Sequence, residues 1–165
     1  MQKAPVPLND EERICAVEGL KLLDTASEER FDRLTKEAVK RFSVPISTIT
    51  LVDKNREWFK SVQGLKIRQS PRSTSFCGHA LLSQVVLIVE DTLADPRFAD
   101  NPLVTGEPFI RFYAGKSLYD HESGLPVGVF CIKDRKPREM SLDDLDDFLD
   151  LASRAEEEIN KKAEK

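Results

Sequence analysis

Cysteine is scarce in this sequence, which has three among its 165 residues. Cys15, Cys77 and Cys131 are widely separated, and no C-x-x-C pair occurs. An odd number of cysteines without paired spacing argues against a disulfide framework and against a zinc knuckle. The pattern therefore predicts three free thiols and a reducing, cytoplasmic location.

Long apolar runs are lacking as well. No stretch approaches the roughly 20 apolar residues that a membrane-spanning helix needs, and the N-terminal sequence MQKAPVPLNDEER lacks the apolar core of a secretory signal. The net charge is −4, and lysine and arginine are spread along the chain rather than clustered. These features predict neither a membrane partner nor a nucleic-acid partner.

Motifs for phosphate, metal or acid–base chemistry are not evident. Gly106 and Gly115 are isolated, so no glycine motif that cradles phosphate is present. The aspartates between positions 91 and 100 lack EF-hand spacing, and no pair of acids is suited to acid–base catalysis. The sequence thus predicts neither a cofactor nor an enzymatic activity.

Helical periodicity is present at both ends of the chain. Capping-box patterns at Asn9–Glu12 and Thr25–Glu28 predict the starts of helices over 10–24 and 27–42. A third helix is predicted over 141–160, because Ser141 is a suitable N-cap and leucine and alanine recur near heptad spacing.

Strand patterns fill the middle of the chain. ISTITLVD at 46–53 and EWFKSV at 57–62 predict one hairpin, and two longer strands at 109–120 and 125–134 predict another. VVLIVED at 85–91 predicts a buried strand. Short connections require antiparallel pairing, so the sequence predicts an α+β fold with helices on one face of the sheet and loops on the other.

Two segments predict loops that cross the second face. Residues 63–74 carry a glycine, a proline and three positive charges, which is typical of an exposed loop. In 92–109, Asp95-Pro96 predicts the start of one helical turn and Asn101-Pro102 its stop. Long loops in a compact domain are often functional, so these segments become candidates for a binding site.

The order of these segments resembles the GAF family of small-molecule sensor domains. It is most similar to bacterial GAF domains that occur alone or ahead of diguanylate cyclase, histidine kinase or phosphatase modules. The resemblance is carried by LLDT at 22–25, FDRLT at 31–35, VPISTITLVD at 44–53, EWFKS at 57–61, SFCGHA at 75–80, EDTLADPRFADNPLV at 90–104, IRFYAG at 110–115 and GVFCIKD at 128–134.

The resemblance implies a PAS-related, six-stranded antiparallel sheet with the terminal helices packed together on one face. It also implies a pocket on the other face, closed by short helices and loops in 63–83 and 90–109. Family members bind cyclic nucleotides, bilins, haem or small metabolites, and many form dimers through the terminal helices. A single GAF domain is accordingly expected over residues 9–160, between a disordered arm at 1–8 and a charged tail at 161–165.

The segment SFCGHA holds the two side chains best suited to chemistry. If it forms a helix, Cys77 and His79 point about 200° apart and cannot meet, whereas an extended backbone would bring them to one face. Three roles stay open for Cys77: a pocket wall, a redox-sensing thiolate, and a catalytic or metal-binding group. The Cys-His pair of bilin-binding members and the signature of phosphodiesterase-type members are not evident, and the several cysteines of sulfoxide reductases on this fold do not map onto Cys77 and Cys131.

Arg111 and Tyr113 lie two apart in a predicted strand and therefore share a face. The pair could bind an anion or carboxylate, with Tyr113 as a flat contact. Alternatively, Arg111 could hold the 90–100 loop shut through Asp91, Asp95 or Asp100. Phe98 has two comparable interpretations. It either anchors the 90–100 loop in the core or, with Trp58 or Phe59, forms a wall of a ligand cavity.

The sequence thus favours a non-catalytic sensory or regulatory domain that binds an unidentified small molecule, such as a cyclic nucleotide or metabolite. It would signal through its terminal helices, as a homodimer formed by helices 10–24 and 141–160, to a downstream output domain. A thiol-based redox enzyme or sensor that uses Cys77 and a dimerisation module with a vestigial pocket are the alternatives. The candidate ligand-binding residues are Trp58, Phe76, Cys77, Asp91, Phe98, Arg111 and Tyr113.

Overall fold

The computed structural model describes residues 1–161. The helices are α1 (Asp10–Gly19), α2 (Glu29–Phe42), α3 (Phe76–Ala80), α4 (Pro102–Thr105) and α5 (Leu142–Asn160). The strands are β1 (Ile46–Val52), β2 (Arg56–Gln63), β3 (Gln69–Pro71), β4 (Leu87–Val89), β5 (Phe112–Tyr119) and β6 (Pro126–Asp134). Short 3₁₀ turns cover Arg72–Thr74 and Thr92–Ala94.

The six strands form one antiparallel sheet in the order β3-β2-β1-β6-β5-β4. This confirms the predicted α+β class, the two hairpins and the six-stranded sheet. The first and last long strands of the chain, β1 and β6, pair at the centre of the sheet, with Ile49 opposite Phe130. The N-terminal and C-terminal halves of the chain are therefore joined by the middle of the sheet.

One face of the sheet is covered by the long helices. Phe148 of α5 packs against Phe130 of β6 and Phe42 of α2, with ring centroids 5.5 and 6.2 Å apart. The apolar stripes of α2 and α5 face the same core as alternate residues of the central strands. The prediction that helices gather on one face is confirmed.

The other face of the sheet is covered by short elements and loops. In β6, Phe130 and Ile132 point to the helices, whereas Val129 and Cys131 belong to a second core cluster on the opposite face. This second cluster includes α3 and the segment that carries Phe98. Strand alternation thus divides the interior into two cores.

The predicted helix caps are right at one end of the chain and wrong at the other. Ser141 Oγ accepts a bond from the Asp144 amide at 3.0 Å, and the Asp144 carboxylate accepts one from the Ser141 amide at 3.1 Å. Asn9 makes no such bond, and α1 ends at Gly19 rather than at position 24. Thr25 donates its hydroxyl to the carbonyl of Leu22 instead of capping α2.

Both predicted crossing loops contain structure that the sequence did not indicate. Gln69 pairs with Trp58, so part of the 63–74 segment is an edge strand. In the second segment, Asn101 is the N-cap of α4, with its side chain accepting from the Leu103 amide at 2.9 Å. Asn101-Pro102 therefore starts a helix and does not stop one, because proline fits the first helical position.

The N-terminal arm, predicted to be disordered over residues 1–8, lies against the second face. Ala4 N–H donates to the carbonyl of Ser73 at 3.1 Å, and Gln2 N–H donates to the carbonyl of Arg97 at 3.2 Å. The Met1 ammonium pairs with Asp100. Of the predicted charged tail at 161–165, positions 162–165 lie outside the described residues. None of the described helices is both long and apolar enough to cross a membrane.

Candidate ligand-binding site

Seven polar or sulfur-bearing side chains meet beneath α3 on the second face of the sheet, and we call them the inner polar cluster. Strand alternation and register bring together the members on β1, β5 and β6, where Thr48 lies opposite Cys131 and Tyr113 lies opposite Lys133. None is more than 2% exposed. The members are Thr48, Thr50, Glu57, Cys77, Tyr113, Cys131 and Lys133.

Glu57 supplies the negative charge of the cluster. Its carboxylate accepts hydrogen bonds from the hydroxyls of Ser70 and Ser75, one to each oxygen. Ser75 also caps α3 by accepting from the Gly78 amide at 2.9 Å. The buried carboxylate is therefore fixed by neutral donors from the segment that covers the sheet.

Lys133 supplies the positive charge. Its ammonium lies 5.9 Å from the centre of the Tyr113 ring, and no carboxylate oxygen of residues 1–161 lies within 4.0 Å of it. Burial disfavours the charged form, but Cys131, Glu57 and Cys77 more than offset this and raise the pKa of Lys133. Lys133 is thus a buried ammonium whose charge is favoured by groups beyond ion-pair distance, and a perturbed buried group of this kind marks the site as a functional candidate.

The pKa values of the two buried thiols, Cys77 and Cys131, are shifted in opposite directions. Burial raises the pKa of Cys77 well above its usual range, and Cys131 raises it further. Burial also disfavours the Cys131 thiolate, but the Cys77 thiol, the Lys133 ammonium and the Thr48 hydroxyl lower the pKa of Cys131 to about 7. Proximity to Lys133 thus favours ionisation of Cys131 before Cys77.

Aromatic rings cover this cluster. Phe76 stacks on Phe98 with centroids 4.5 Å apart and on Tyr113 with centroids 5.2 Å apart. Burial raises the pKa of Tyr113, and the adjacent Cys77 adds to this. Four predicted residues, Phe76, Cys77, Phe98 and Tyr113, are thereby brought together, and Phe98 is fully buried as an anchor of its loop.

His79 lies apart from Cys77, as the helical interpretation of SFCGHA predicts. Its ring packs edge-on against Phe98, with centroids 4.8 Å apart, and its Nε2 is 3.1 Å from the Gln2 carbonyl. Burial lowers the pKa of His79. The two side chains therefore do not form a nucleophile–base pair in this structure.

Trp58 is not part of this site, contrary to the prediction. It pairs with Leu51, and both side chains belong to the core beneath the long helices. Arg68 covers the Trp58 ring at 5.1 Å. Phe59, its neighbour in β2, lies opposite Thr50 and is the aromatic residue that alternation directs to the second face.

Arg111 and Asp91 are also separate from the inner polar cluster. They form an ion pair of 3.1 Å at the surface, next to an open groove of about 530 Å³. The groove is lined by residues 88–91 and 94–97. The structure matches the second interpretation of Arg111, in which this residue holds the 90–100 loop through an aspartate.

Five members of the cluster were not among the residues predicted from the sequence: Thr48, Thr50, Glu57, Cys131 and Lys133. The available signal was the alternation in GVFCIKD, where Cys131 and Lys133 share a face with Val129. Within residues 1–161, no three His, Cys, Asp or Glu side chains are arranged to hold a metal ion. What the cluster offers chemically is a buried ammonium, a buried carboxylate and two thiols.

Comparison with known proteins identifies the fold. A family model described as the GAF domain matches residues 27–159. The chain belongs to the GAF domain family. A Pseudomonas aeruginosa protein named cyclic di-GMP phosphodiesterase is 44% identical to this GAF chain over 138 residues. These are 84% of this chain and 23% of that protein, so the chain spans about a quarter of the relative's length.

Solved structures share the architecture at low sequence identity. The GAF domain of an Acinetobacter phosphoenolpyruvate-protein phosphotransferase has a TM-score of 0.64 and 13% identity, covering 90% of this chain and 92% of that one. A free methionine-R-sulfoxide reductase from Neisseria meningitidis, in complex with its substrate, has a TM-score of 0.62 and 16% identity, covering 88% and 85%. Identities this low show a common fold alone.

Proposed function

We propose that this GAF domain is a non-catalytic sensor that binds a small molecule at the inner polar cluster. The observation that carries the proposal is the buried Lys133 ammonium without a carboxylate partner, beside the buried carboxylate of Glu57. A ligand that presents an acceptor oxygen to Lys133 would replace the missing counter-ion. Cyclic nucleotides and metabolites with a carboxylate or phosphate have such oxygens.

Entry to this site requires movement of the aromatic cover. Phe76 and Phe98 belong to α3 and to the 90–109 loop, which are short elements that local opening can displace. The apparent affinity for a ligand would then be reduced by the small population of the open form.

A path from the site to α5 supports the signalling part of the proposal. Tyr113 of the inner polar cluster and Tyr119 lie on the same strand, β5. The Tyr119 amide donates to the Glu156 carboxylate at 2.8 Å, and Asn160 donates to the Tyr119 carbonyl at 2.9 Å. A shift of β5 on ligand binding would therefore move the C-terminal end of α5.

We also propose assembly as a homodimer through α1 and α5, in the cytoplasm and with an output domain. Leu142 and Leu149 of α5 are exposed, which supports a contact on this helix. The matched relative is named a phosphodiesterase, and the chain spans only 23% of it. We therefore assign any such catalysis to other parts of a longer protein.

Isothermal titration calorimetry tests the binding proposal. A panel of cyclic nucleotides, amino acids and small carboxylates is titrated into the wild-type protein and into Lys133→Met. We expect at least one compound to bind the wild type and to lose most of its affinity in the variant. Lys116→Met is the matched control, because Lys116 lies on β5 outside the inner polar cluster. Equal affinities for the wild type and Lys133→Met would reject the site.

A thiol-based sulfoxide reductase is the second candidate function. It is supported by the two adjacent buried thiols and by the common fold with the Neisseria reductase. Reduction of free methionine sulfoxide is measured for the wild type and Cys77→Ser. Activity that is present and disappears in Cys77→Ser supports this candidate, and activity unchanged by the substitution removes it.

The third candidate, a dimerisation module with a vestigial pocket, is supported by the close packing of Phe76, Phe98 and Tyr113. Sedimentation velocity of Leu149→Arg separates assembly from binding. We expect this variant to be monomeric if α5 forms the dimer, whereas Leu82→Arg, equally exposed but outside α5, remains dimeric. Dimers of the same stability in both variants would exclude this face of α5.

A further inference from the structure

Cys77 and Cys131 approach each other from opposite sides of the second core. Cys77 lies on α3 and Cys131 lies on the central strand β6, so the two are far apart in sequence and belong to different layers. Cys77 Sγ is 3.7 Å from Thr50 Oγ1, and Cys131 Sγ is 3.0 Å from Thr48 Oγ1. The two threonine hydroxyls are themselves only 2.7 Å apart.

Both thiols belong to the same buried core cluster and contact the same pair of hydrogen-bonded threonine hydroxyls. Tyr113 donates its hydroxyl to Cys77 Sγ at 3.3 Å. Two thiols that serve only as small apolar fillers need none of these polar neighbours. The arrangement is that of a nucleophilic thiolate beside a second thiol that can resolve it.

We propose that Cys77 and Cys131 form a peroxide-sensitive dithiol that closes to an internal disulfide. This function goes beyond small-molecule binding and does not depend on it. The disulfide would tie α3 to β6 and thereby fix the cover over the inner polar cluster. Oxidation would then control access to the site.

The reaction balances with hydrogen peroxide as the oxidant. The Cys131 thiolate attacks one peroxide oxygen, the O–O bond breaks, and the hydroxide that leaves takes the proton of Cys77 to become water. The Cys77 sulfur then attacks the Cys131 sulfenic acid, the S–O bond breaks, and the departing hydroxide becomes the second water with a proton from the solvent. Two thiols lose two electrons, and one peroxide yields two waters.

The positions of the charged groups decide which thiol reacts first. Lys133 lies two residues after Cys131 on the same face of β6 and favours the Cys131 thiolate, while burial and the nearby Cys131 raise the pKa of Cys77. Glu57 faces both sulfurs from β2 and opposes ionisation of each. Cys131 is therefore the attacking residue and Cys77 the resolving one.

Intact-mass and peptide mapping of the folded protein after hydrogen peroxide treatment test the proposal. We expect a loss of about 2 Da that dithiothreitol reverses, with a single cross-linked peptide that contains Cys77 and Cys131. Cys15→Ser should behave in the same way, because Cys15 is exposed and lies on α1. A disulfide that includes Cys15 would overturn the proposal. Oxidation of Cys15 that leaves both Cys77 and Cys131 as free thiols would also overturn it.

Two variants test the order of the reaction. Cys77→Ser should accumulate a sulfenic acid on Cys131 that dimedone traps, and Cys131→Ser should give neither this adduct nor the disulfide. If dimedone labels Cys77 in Cys131→Ser as fast as it labels Cys131 in Cys77→Ser, Cys131 is not the attacking residue. If either variant does not fold, the time course of dimedone trapping in the wild-type protein gives the same answer, because only the first sulfur to react is labelled.

Discussion

The hydroxyl of Tyr113 donates a hydrogen bond to the sulfur of Cys77 at 3.3 Å. This bond joins β5 to α3 across the second core, where both residues are fully buried. Gly115 leaves room for the Tyr113 ring in this position, because a Cβ at residue 115 would collide with the phenol. The tyrosine therefore lies along its own strand and reaches the cysteine on the short helix.

Removal of the Tyr113 hydroxyl should weaken the attachment of α3 to the sheet without disrupting the fold. Tyr113→Phe is expected to lower the free energy of unfolding by about 1 kcal/mol, since a buried hydrogen bond is lost and the ring remains. Urea denaturation followed by tryptophan fluorescence measures this. Tyr119→Phe, at a half-exposed position, should cost less. A larger loss in Tyr119→Phe would contradict the importance given to the Tyr113 bond.

Gly115→Ala should disturb the same contact by a steric clash rather than by the loss of a hydrogen-bond donor. The added methyl group displaces the Tyr113 ring, so we expect the variant to lose about 1–3 kcal/mol of stability, as overpacked cores do. Gly19→Ala is the control, because a Cβ there meets no atom within 4 Å. Thermal unfolding in which both variants change equally would show that the space around Tyr113 is not restricted.

The ion pairs of Asp10 predict an acid-sensitive contribution to stability. Arg72 binds both oxygens of Asp10, at 2.8 and 2.9 Å, and Arg13 binds one of them at 2.8 Å. The hydrogen bond from Arg72, followed by those from Arg13, lowers the pKa of Asp10 from 3.8 to about 2 against the effect of burial. A carboxyl with a lowered pKa stabilises the fold above its unfolded pKa and loses this effect as the pH falls.

Asp10→Asn should therefore be less stable than the wild type at pH 7, by about 1 to 2 kcal/mol. The difference should shrink as the pH falls from about 4 to about 2, where the wild-type carboxyl takes up its proton. Urea unfolding at a series of pH values measures both. Asp24→Asn is the control, since its pair with Arg56 is exposed. A difference between wild type and Asp10→Asn that does not change over this range would contradict the lowered pKa.

Two buried lysines should respond to different degrees to the same substitution. Lys60 Nζ is bonded to Thr25 Oγ1, the Ala26 carbonyl and Glu28, so Lys60→Met should cost about 1–3 kcal/mol, because the Thr25 hydroxyl and the Ala26 carbonyl lose a charged donor. Lys133 has no carboxylate within ion-pair distance among the described residues and is held only by more distant groups, so Lys133→Met should cost less than Lys60→Met. Chemical denaturation of the two variants is the measurement, and a greater loss in Lys133→Met would show that its ammonium supports the fold.

The long elements were predictable from sequence because burial on one side leaves a periodic pattern. The apolar stripes of α2 and α5 and the alternation in β1 and β6 all have their expected form. The dipeptide Asn101-Pro102 was ambiguous, because the same residues can follow one helix or begin another. Tertiary contacts decide between these outcomes, and here Asn101 also donates to the carbonyl of Thr74 at 3.1 Å.

The site was less predictable than the fold. Alternation assigns Trp58 and Phe59 to opposite faces of β2 but does not reveal which face the helices cover. A lysine near the end of a strand is normally exposed, so Lys133 gave no sign of its burial. Glu57 depends on the hydroxyls of Ser70 and Ser75, which reach it from a segment that had no strand pattern.

Native mass spectrometry tests the central claim, a ligand site built on Lys133, most directly. The wild-type protein, Lys133→Met and Lys116→Met are each incubated with the same extract of small metabolites and transferred without denaturation. We expect one adduct of defined mass on the wild type and on Lys116→Met, and none on Lys133→Met. Adducts of equal intensity on all three proteins, or no adduct on the wild type, would contradict it.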